Sequence, residues 1–208
     1  GSGSAYCDDF SLHRGAAGVW SLPGTPIVGQ SQIAVNNAVD LSGTGTPEGV
    51  VTAAPGSTWL QTDATTDVKG WLRWIKATGT GNTGWVAGPE ADTGWRNVTL
   101  TNSWADGTDG LYIRRIGTMV YVHGRGISGA SGASAYEMYT LPTGFGAAKA
   151  VTVPAAKAGT TFDGYVSVAF TSIASGTAGG VASYTDTRFE AVFPTANAWP
   201  SSLPGSAA

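Results

Sequence analysis

Residues 49–86 read GVVTAAPGSTWLQTDATTDVKGWLRWIKATGTGNTGWV and carry four of the eight Trp residues of the chain. Pro55 and the glycines at 49, 56, 70, 79, 81 and 84 interrupt any helical period of 3.6 residues. Short apolar runs alternate with Gly, Pro, Asp, Asn and Thr, which is typical of strands joined by loops and tight turns. The stretch therefore predicts a β module that presents large aromatic side chains.

The composition favours a β protein with few charges. Charged residues make up 12% of the 208 residues, Gly occurs 31 times and the formal net charge is −3. The charged fraction is about half the share of an average soluble domain. The eleven basic residues are scattered, so we expect no nucleic-acid partner. No apolar run approaches ~20 residues, so we expect no insertion into a membrane.

The second half of the chain shows a denser strand pattern. Leu111–Arg125 reads LYIRRIGTMVYVHGR, two alternating runs around Gly117, and predicts a hairpin whose turn uses the positive φ of that glycine. From residue 95 onward we count about seven or eight short strands with regular turns, which favours a β-sandwich or jelly roll. Residues 101–110 are predicted as a loop, and a strand over Lys149–Val153 is predicted to end at Pro154.

Two elements of the first half are also predicted from the pattern. Val50–Thr52 is expected to be a strand, and Trp71–Ala77 alternates with an apolar residue on each face, so both faces are expected to be covered. Residues 27–41 favour short strands with a turn at Asn36-Asn37, with a brief helix around 31–39 as the alternative.

The segment Gly88–Asp92 (GPEAD) is the candidate domain boundary. It divides the chain into a Gly-rich β module at 1–90 and an antiparallel, jelly-roll-like β-sandwich at 91–208. Residues 1–90 are too Gly-rich and contribute too little apolar surface to form a good hydrophobic core of their own. Their exposed aromatics would be buried by self-association. The predicted fold is therefore all-β, with a small N-terminal module that associates with other copies.

Metal and cofactor chemistry finds little support. Cys7 is the only cysteine, and the two histidines, His13 and His123, lie far apart in the sequence. His123 is expected to be a half-buried side chain of the hairpin. Residues 79–84 match GxGxxG but lie between strands rather than in a βαβ unit. We therefore expect no metal and no cofactor.

The carboxylates Asp106 and Asp109, in the sequence WADGTDG, are the best local acidic pair. Such a pair could serve glycoside hydrolysis or hold a cation such as Ca²⁺. Asp-Gly is also common turn chemistry, and this interpretation is favoured. Nucleophile motifs such as GxSxG are absent, so we predict that the protein is not an enzyme.

The aromatic residues divide into two predicted groups. Sugars are commonly held by an aromatic face and by polar side chains, and the residues beside turns and small-residue loops are expected to be the most exposed. The candidate ligand-binding residues are Trp104, Asp106, Asp109, Tyr136, Tyr139 and Tyr184. The candidate packing and trimer residues are Trp59, Trp71, Trp74 and Trp85.

Two segments resemble bacteriophage proteins. TPEGVVTAAPGSTWLQTD…GWLRWIKATGTGNTGWV resembles a module of tail fibres and minor tail proteins. In that module PEGxVxAxxGS is followed by aromatic residues, a Gly, a Leu, a Lys and a final GW, although Trp59 and Trp74 stand where Tyr is more familiar. WRNVTL…GLYIRRIGTMVYVHGRG…LPTGFGAAKAV resembles the C-terminal β-sandwich of tail-fibre receptor-binding proteins. There, an R-x-G-x-x-V strand pair precedes an LPxGF turn, here Leu141–Phe145. Together the segments cover roughly residues 45–155.

The resemblance implies a non-enzymatic homotrimer in the virion, at the tail tip or fibre and therefore extracellular. Its partners would be other tail proteins and a host cell-surface or cell-wall polysaccharide. The resemblance supplies no binding residues. The alternatives are a structural tail or head-decoration protein without a receptor role, and a glycan-degrading tailspike. The tailspike is disfavoured because neither a convincing acid pair nor long parallel β repeats are found.

Overall fold

Every regular element in the described part of the chain is a β-strand, which confirms the all-β class. The structure is a computed structural model that describes residues 37–102, 104–129, 137–157, 162–176 and 186–208, with the strand segments at 13–14, 20–21 and 34–35. The strands are β1 (His13–Arg14), β2 (Trp20–Ser21), β3 (Ala34–Val35), β4 (Ala38–Gly43), β5 (Thr58–Gln61), β6 (Leu72–Lys76), β7 (Trp85–Ala87), β8 (Arg96–Val98), β9 (Ala105–Ile116), β10 (Met119–Ser128), β11 (Glu137–Thr140), β12 (Val151–Lys157), β13 (Phe162–Val168), β14 (Ser172–Gly176), β15 (Thr187–Pro194) and β16 (Ser206–Ala207).

The first of two larger sheets has the order β3-β4-β5-β6-β7, and β4 pairs with β5 in parallel. Asn37, between β3 and β4, has a φ of 66°, as the predicted turn requires. The strand interpretation of this region is thus confirmed at the described positions. Trp59, Trp74 and Trp85 are buried together in the core of this small sheet.

Two predictions for the small sheet are wrong. Val50–Thr52 is not a strand, because the backbone N–H groups of Val50 and Val51 both donate to the carbonyl of Pro47 and fold the chain into a turn. Within the single chain, strand β6 is fully covered on one face only: Leu72, Trp74 and Lys76 are buried, whereas on the other face Arg73 is exposed and Ile75 is partly exposed. The Lys76 amine donates to the carbonyl of Thr83 and lies 5.7 Å from the centre of the Trp85 ring, which explains how a lysine fits inside.

The larger sheet is antiparallel and has the order β11-β14-β13-β12-β15-β10-β9-β8-β16. It curls around one core that includes Ile113, Val122 and Phe193. The segment after β8 reaches the opposite edge of the sheet, where the N–H of Thr101 donates to the carbonyl of Met138 over 2.9 Å. The two ends of the sheet therefore face each other across a shared interior, a sandwich-like arrangement.

The predicted hairpin is confirmed as β9 and β10, joined by Gly117 and Thr118 with a φ of 53° at Gly117. Two other predictions are wrong. The second half of the predicted 101–110 loop belongs to β9, which begins at Ala105. Strand β12 continues through Pro154 to Lys157. This is possible because β15 pairs with β12 only at Ala156 and Lys157, so Pro154 does not have to donate to that neighbour.

The C-terminal segment joins the two sheets. Trp199 lies in the core of the small sheet, and its indole N–H donates to the Thr66 hydroxyl over 3.0 Å. Between the sheets, Asp92 forms an isolated bridge with Ile116. The division of the chain at residues 88–92 stays a prediction. These contacts fix the approach of the chain to β8, and hence the position of Trp95.

Candidate ligand-binding groove

Two adjoining depressions open to solvent on the outer face of the large sheet. One has a volume of about 330 Å³ and is lined by Trp95, Asp109, Tyr112, His123, Arg125 and Ala208. The other has a volume of about 450 Å³ and is lined by His123, Gly124, Arg125, Arg188, Phe189 and Glu190. They share His123 and Arg125, so we treat them as one feature, the outer groove. Each volume falls in the range of ~300–1,000 Å³ typical of small-ligand sites.

The alternation of strand side chains creates the floor of the groove. Along β10, Val122 and Gly124 are buried, whereas His123 between them faces outward. His123 pairs across the sheet with Tyr112 of β9 and with Glu190 of β15. Three neighbouring strands therefore place an aromatic ring, an imidazole and a carboxylate in one row.

Two β-bulges lie at one end of this row. On β9, residues 107–109 stand between the pairs Gly110↔Arg125 and Asp106↔Ile127 and face only Gly126. On β10, residues 125 and 126 stand opposite Arg188 alone. Bulges bend a strand and redirect its side chains. Here they bring Asp109 Oδ2 within 3.0 Å of Arg125 Nε, in an ion pair whose side chains are about half exposed.

Trp95, immediately before β8, forms the aromatic wall of the groove. Its side chain is partly exposed, and its ring centre lies 6.4 Å from that of His123 in an edge-on arrangement. The ring of Tyr112 lies 6.5 Å from His123, and the Tyr112 hydroxyl donates to the carbonyl of Asp109 over 3.0 Å. The bulge and the aromatic wall are thus connected by direct contacts.

An ion pair supports Trp95 from the side. The guanidinium of Arg114 lies 6.0 Å from the centre of the Trp95 ring. Arg114 donates to Asp92 through Nε over 2.9 Å and through Nη2 over 2.5 Å. This bidentate hydrogen bonding lowers the pKa of Asp92 below its usual value and raises that of Arg114. Both groups are therefore charged at neutral pH and hold the guanidinium beside the indole.

The groove can bind a molecule that has both apolar and hydroxyl-rich faces. Trp95 and Tyr112 offer ring surfaces, while Asp109, Arg125 and Glu190 offer hydrogen-bond acceptors and donors. Within the described ranges, His, Cys, Asp and Glu do not gather in groups of three or more that could hold a metal ion. The same ranges contain no helix long and apolar enough to cross a membrane.

Of the residues predicted to bind a ligand, only Asp109 lines the outer groove among those that the structure describes. Asp109 lies in the outer groove, whereas Asp106 does not line it; partial burial raises the pKa of the Asp106 carboxyl. Tyr139 is half-buried against the main core, and burial raises the pKa of its hydroxyl. Tyr136 and Tyr184 lie outside the described residues.

The prediction that Trp104 is among the most exposed aromatic residues is wrong. The side chain is 8% exposed and belongs to the main core. Its indole occupies the space left by Gly129, where a Cβ atom would lie 2.5 Å from the ring. Trp104 is therefore unable to serve as an open stacking surface.

The four tryptophans assigned to packing or trimer contacts also differ from one another. Trp59, Trp74 and Trp85 are buried within the chain. Trp71 is 37% exposed, with the Lys69 amine 4.9 Å from its ring centre. Any contact of these residues with another subunit stays a prediction.

Sequence reasoning missed most of the groove. Tyr112, His123 and Arg125 lie on the polar face of the predicted hairpin, so a search of that face for aromatic and charged residues could have found them. Trp95 carries no such signal, because its exposure depends on how the chain enters β8. Comparisons of the chain with protein-family models, with curated proteins and with solved structures find no match.

Proposed function

We propose that the chain is the receptor-binding part of a bacteriophage tail fibre or minor tail protein, and that it attaches the virion to a host cell-surface glycan through the outer groove. The observation that carries this proposal is the position of Trp95 beside the Asp109–Arg125 pair on one open face. The resemblance of residues 45–155 to tail-fibre modules supplies the biological setting.

The chemistry of the groove suits a sugar. The C–H face of a pyranose packs on an aromatic ring, and its hydroxyl groups both donate and accept hydrogen bonds. Trp95 offers the ring, Asp109 accepts and Arg125 donates. The open shape gives weak binding at each site. Several copies in one particle would raise the overall avidity by ~10²–10⁴.

The small sheet supports association of several chains. Its outer face carries Leu60, Ile75 and Val86 beside the polar Thr58 and Arg73, and Ile75 pairs directly with Val86 across β6 and β7. Leu60 is 36% exposed and Val86 is 48% exposed. Burial of such a face favours assembly, and we propose a homotrimer within the tail. Light scattering should then give three times the 21.1 kDa mass of one chain; a monomer at micromolar concentration contradicts this part.

Whole bacterial cells test the attachment role. The fluorescently labelled chain is applied to a panel of strains, and purified wall polysaccharide from each bound strain is added as competitor. We expect binding to a subset of strains and its loss on competition. If no strain is bound, the apolar face of the small sheet favours the structural tail role.

The absence of catalysis is also part of the proposal. Incubation with the wall polysaccharide of a bound strain should release no reducing sugar. Release that disappears in the double variant Asp106→Ala, Asp109→Ala would instead support a glycan-degrading tailspike. The double variant must still show the thermal unfolding of the parent chain.

A further inference from the structure

We infer that the outer groove selects an uncharged glycan and recognises it through neighbouring hydroxyl groups rather than through ionic groups. The inference rests on the proposed glycan-binding function and names the ligand class. It follows from the pairing of charges over this face of the sheet.

Each arginine of the groove face already has a carboxylate partner. Arg125 pairs with Asp109 at 3.0 Å, Arg188 with Asp186 at 3.6 Å and Arg114 with Asp92 at 2.5 Å. Glu190 also lies on this face and has no ion pair with another described residue. With histidine counted as neutral, these three arginines and four carboxylates of the described residues sum to a net charge of −1.

This balance disfavours an acidic ligand. A uronate or phosphate group could reach only the N–H groups of Arg125 that Asp109 leaves unused. It would then lie beside the Asp109 carboxylate and in the same groove as Glu190, so its attraction to Arg125 is offset by repulsion from both carboxylates. Juxtaposed like charges are unfavourable in recognition, so the same groups that hold the arginines in place exclude anions.

The Asp109–Arg125 pair is well suited to hydroxyl groups. It presents an acceptor and a donor side by side, and both side chains are half exposed. Two adjacent hydroxyls of a sugar can use the pair at once, one donating to Asp109 and the other accepting from Arg125. The two bulges place the backbones of Asp109 and Arg125 next to each other before binding, which reduces the entropic cost of recognition.

The shared residues suggest that the ligand extends beyond one ring. His123 and Arg125 line both depressions, so a chain that stacks on Trp95 continues past Arg125 toward Glu190. In the second depression Phe189 is 4% exposed and offers little ring surface, and the other side chains of the lining are those of His123, Arg125, Arg188 and Glu190. The first unit is therefore recognised by stacking and hydroxyls, and the next unit mainly by hydroxyls.

A glycan array distinguishes the ligand classes. The whole chain is applied to neutral hexose oligosaccharides, uronic-acid oligosaccharides and glycerol-phosphate oligomers at ~0.05 M and ~0.5 M NaCl, a range over which charge screening changes strongly. We expect binding to neutral members with less than about a twofold change between the two salt concentrations, because no ionic contact is screened. Binding confined to acidic members and lost at high salt overturns the inference but keeps the glycan-binding function.

If the proposed glycan-binding function is wrong, the array gives a different result. A chain that binds no array member and no bacterial strain contradicts the proposed function and the inference together. For a chain that binds, Asp109→Asn is compared with Glu90→Gln, a control in the exposed Arg73–Glu90 pair of the small sheet. We expect Asp109→Asn to weaken neutral binding about tenfold, the equivalent of ~1.4 kcal/mol. Unchanged binding by Asp109→Asn overturns the inference.

Discussion

The guanidinium of Arg115 lies 5.1 Å from the centre of the Trp199 ring, and Arg115 is almost fully buried. No carboxylate accepts its hydrogen bonds among the described residues. Instead, its N–H groups donate to the carbonyls of Gly117, Gly144, Asn197 and Ala198. Burial lowers the pKa of Arg115 to about 10, which still leaves it charged at neutral pH.

This buried arginine joins three distant parts of the chain. Gly117 lies in the hairpin turn, Gly144 in the LPTGF segment, and Asn197 and Ala198 precede Trp199. The two motifs that carry the resemblance in the large sheet therefore meet at one side chain. Trp199 extends the connection into the core of the small sheet.

A double-mutant cycle should detect the coupling between Arg115 and Trp199. Arg115→Met leaves four carbonyls without their donor, and we expect a loss of roughly 3 kcal/mol or more in the free energy of unfolding. Combined with Trp199→Leu, the loss should be smaller than the sum by ~1–2 kcal/mol, a typical value for a desolvated cation–π contact. Urea denaturation provides the measurement. Additive losses contradict a direct interaction.

The Asp92–Arg114 pair should make stability depend on acid. The folded pKa of Asp92 lies below its usual value of 3.8 because Arg114 donates to it. The contribution of the Asp92 carboxylate to the free energy of unfolding is therefore complete above the pKa of Asp92 in the unfolded chain. It disappears as the pH falls through the pKa of Asp92 in the folded chain. Asp92→Asn should lower the urea midpoint at pH 7, and its difference from the parent chain should shrink below about pH 4. An equal difference at pH 7 and pH 3 contradicts the assignment.

Asp106 is expected to affect stability in the opposite direction from Asp92. Partial burial raises the pKa of Asp106 in the folded chain. The ionised carboxylate therefore lowers the free energy of unfolding by its full amount at pH 7, and this destabilisation disappears when the carboxylate is protonated in acid. Asp106→Asn should therefore leave the pH 7 urea midpoint unchanged or raise it. A lower midpoint at pH 7 shows that the carboxylate stabilises the fold.

Gly124 tests how closely the floor of the groove packs on the core. A Cβ atom at this position would lie 2.3 Å from the Phe189 ring. Gly124→Ala should therefore cost ~1–3 kcal/mol through overpacking. The control is Gly81→Ala, since a Cβ atom there meets no neighbour within 4 Å. Equal unfolding midpoints for the two variants contradict the tight packing.

The apolar outer face of the small sheet predicts an effect on assembly. Val86→Glu places a charge beside Ile75 on this face and should shift the proposed trimer toward the monomer in analytical ultracentrifugation. Val50→Glu is the control, because Val50 is 72% exposed in the turn before β5. If Val50→Glu dissociates the trimer and Val86→Glu does not, the subunit contact is not formed by the outer face of the small sheet.

The sequence predicts the elements whose local pattern agrees with their final pairing. The β9–β10 hairpin is of this kind, because alternation and Gly117 indicate the same turn. The Asp-Gly pairs at 106–110 predict a loop, because turns and bulges use the same residue types. Their true setting depends on the register against β10, a long-range property.

The groove is harder to predict than the strands. Asp109 was identified from its residue type, but its partner Arg125 is set by two bulges that leave no clear sequence pattern. Trp104 and Trp95 both lie near turns, yet one fills the space beside Gly129 and the other faces solvent. The exposure of an aromatic residue depends on which residues are its neighbours in space, and the local sequence pattern does not predict those neighbours.

The affinity of Trp95→Ala for a glycan that the parent chain binds is the most direct test of the groove. Phe170→Ala is the matched control, since Phe170 is 62% exposed and does not line the groove. We predict that Trp95→Ala weakens binding at least tenfold, or by ~1.4 kcal/mol, while both variants unfold at the same temperature as the parent chain. Equal affinity of Trp95→Ala and Phe170→Ala would contradict the assignment of the outer groove as the glycan site.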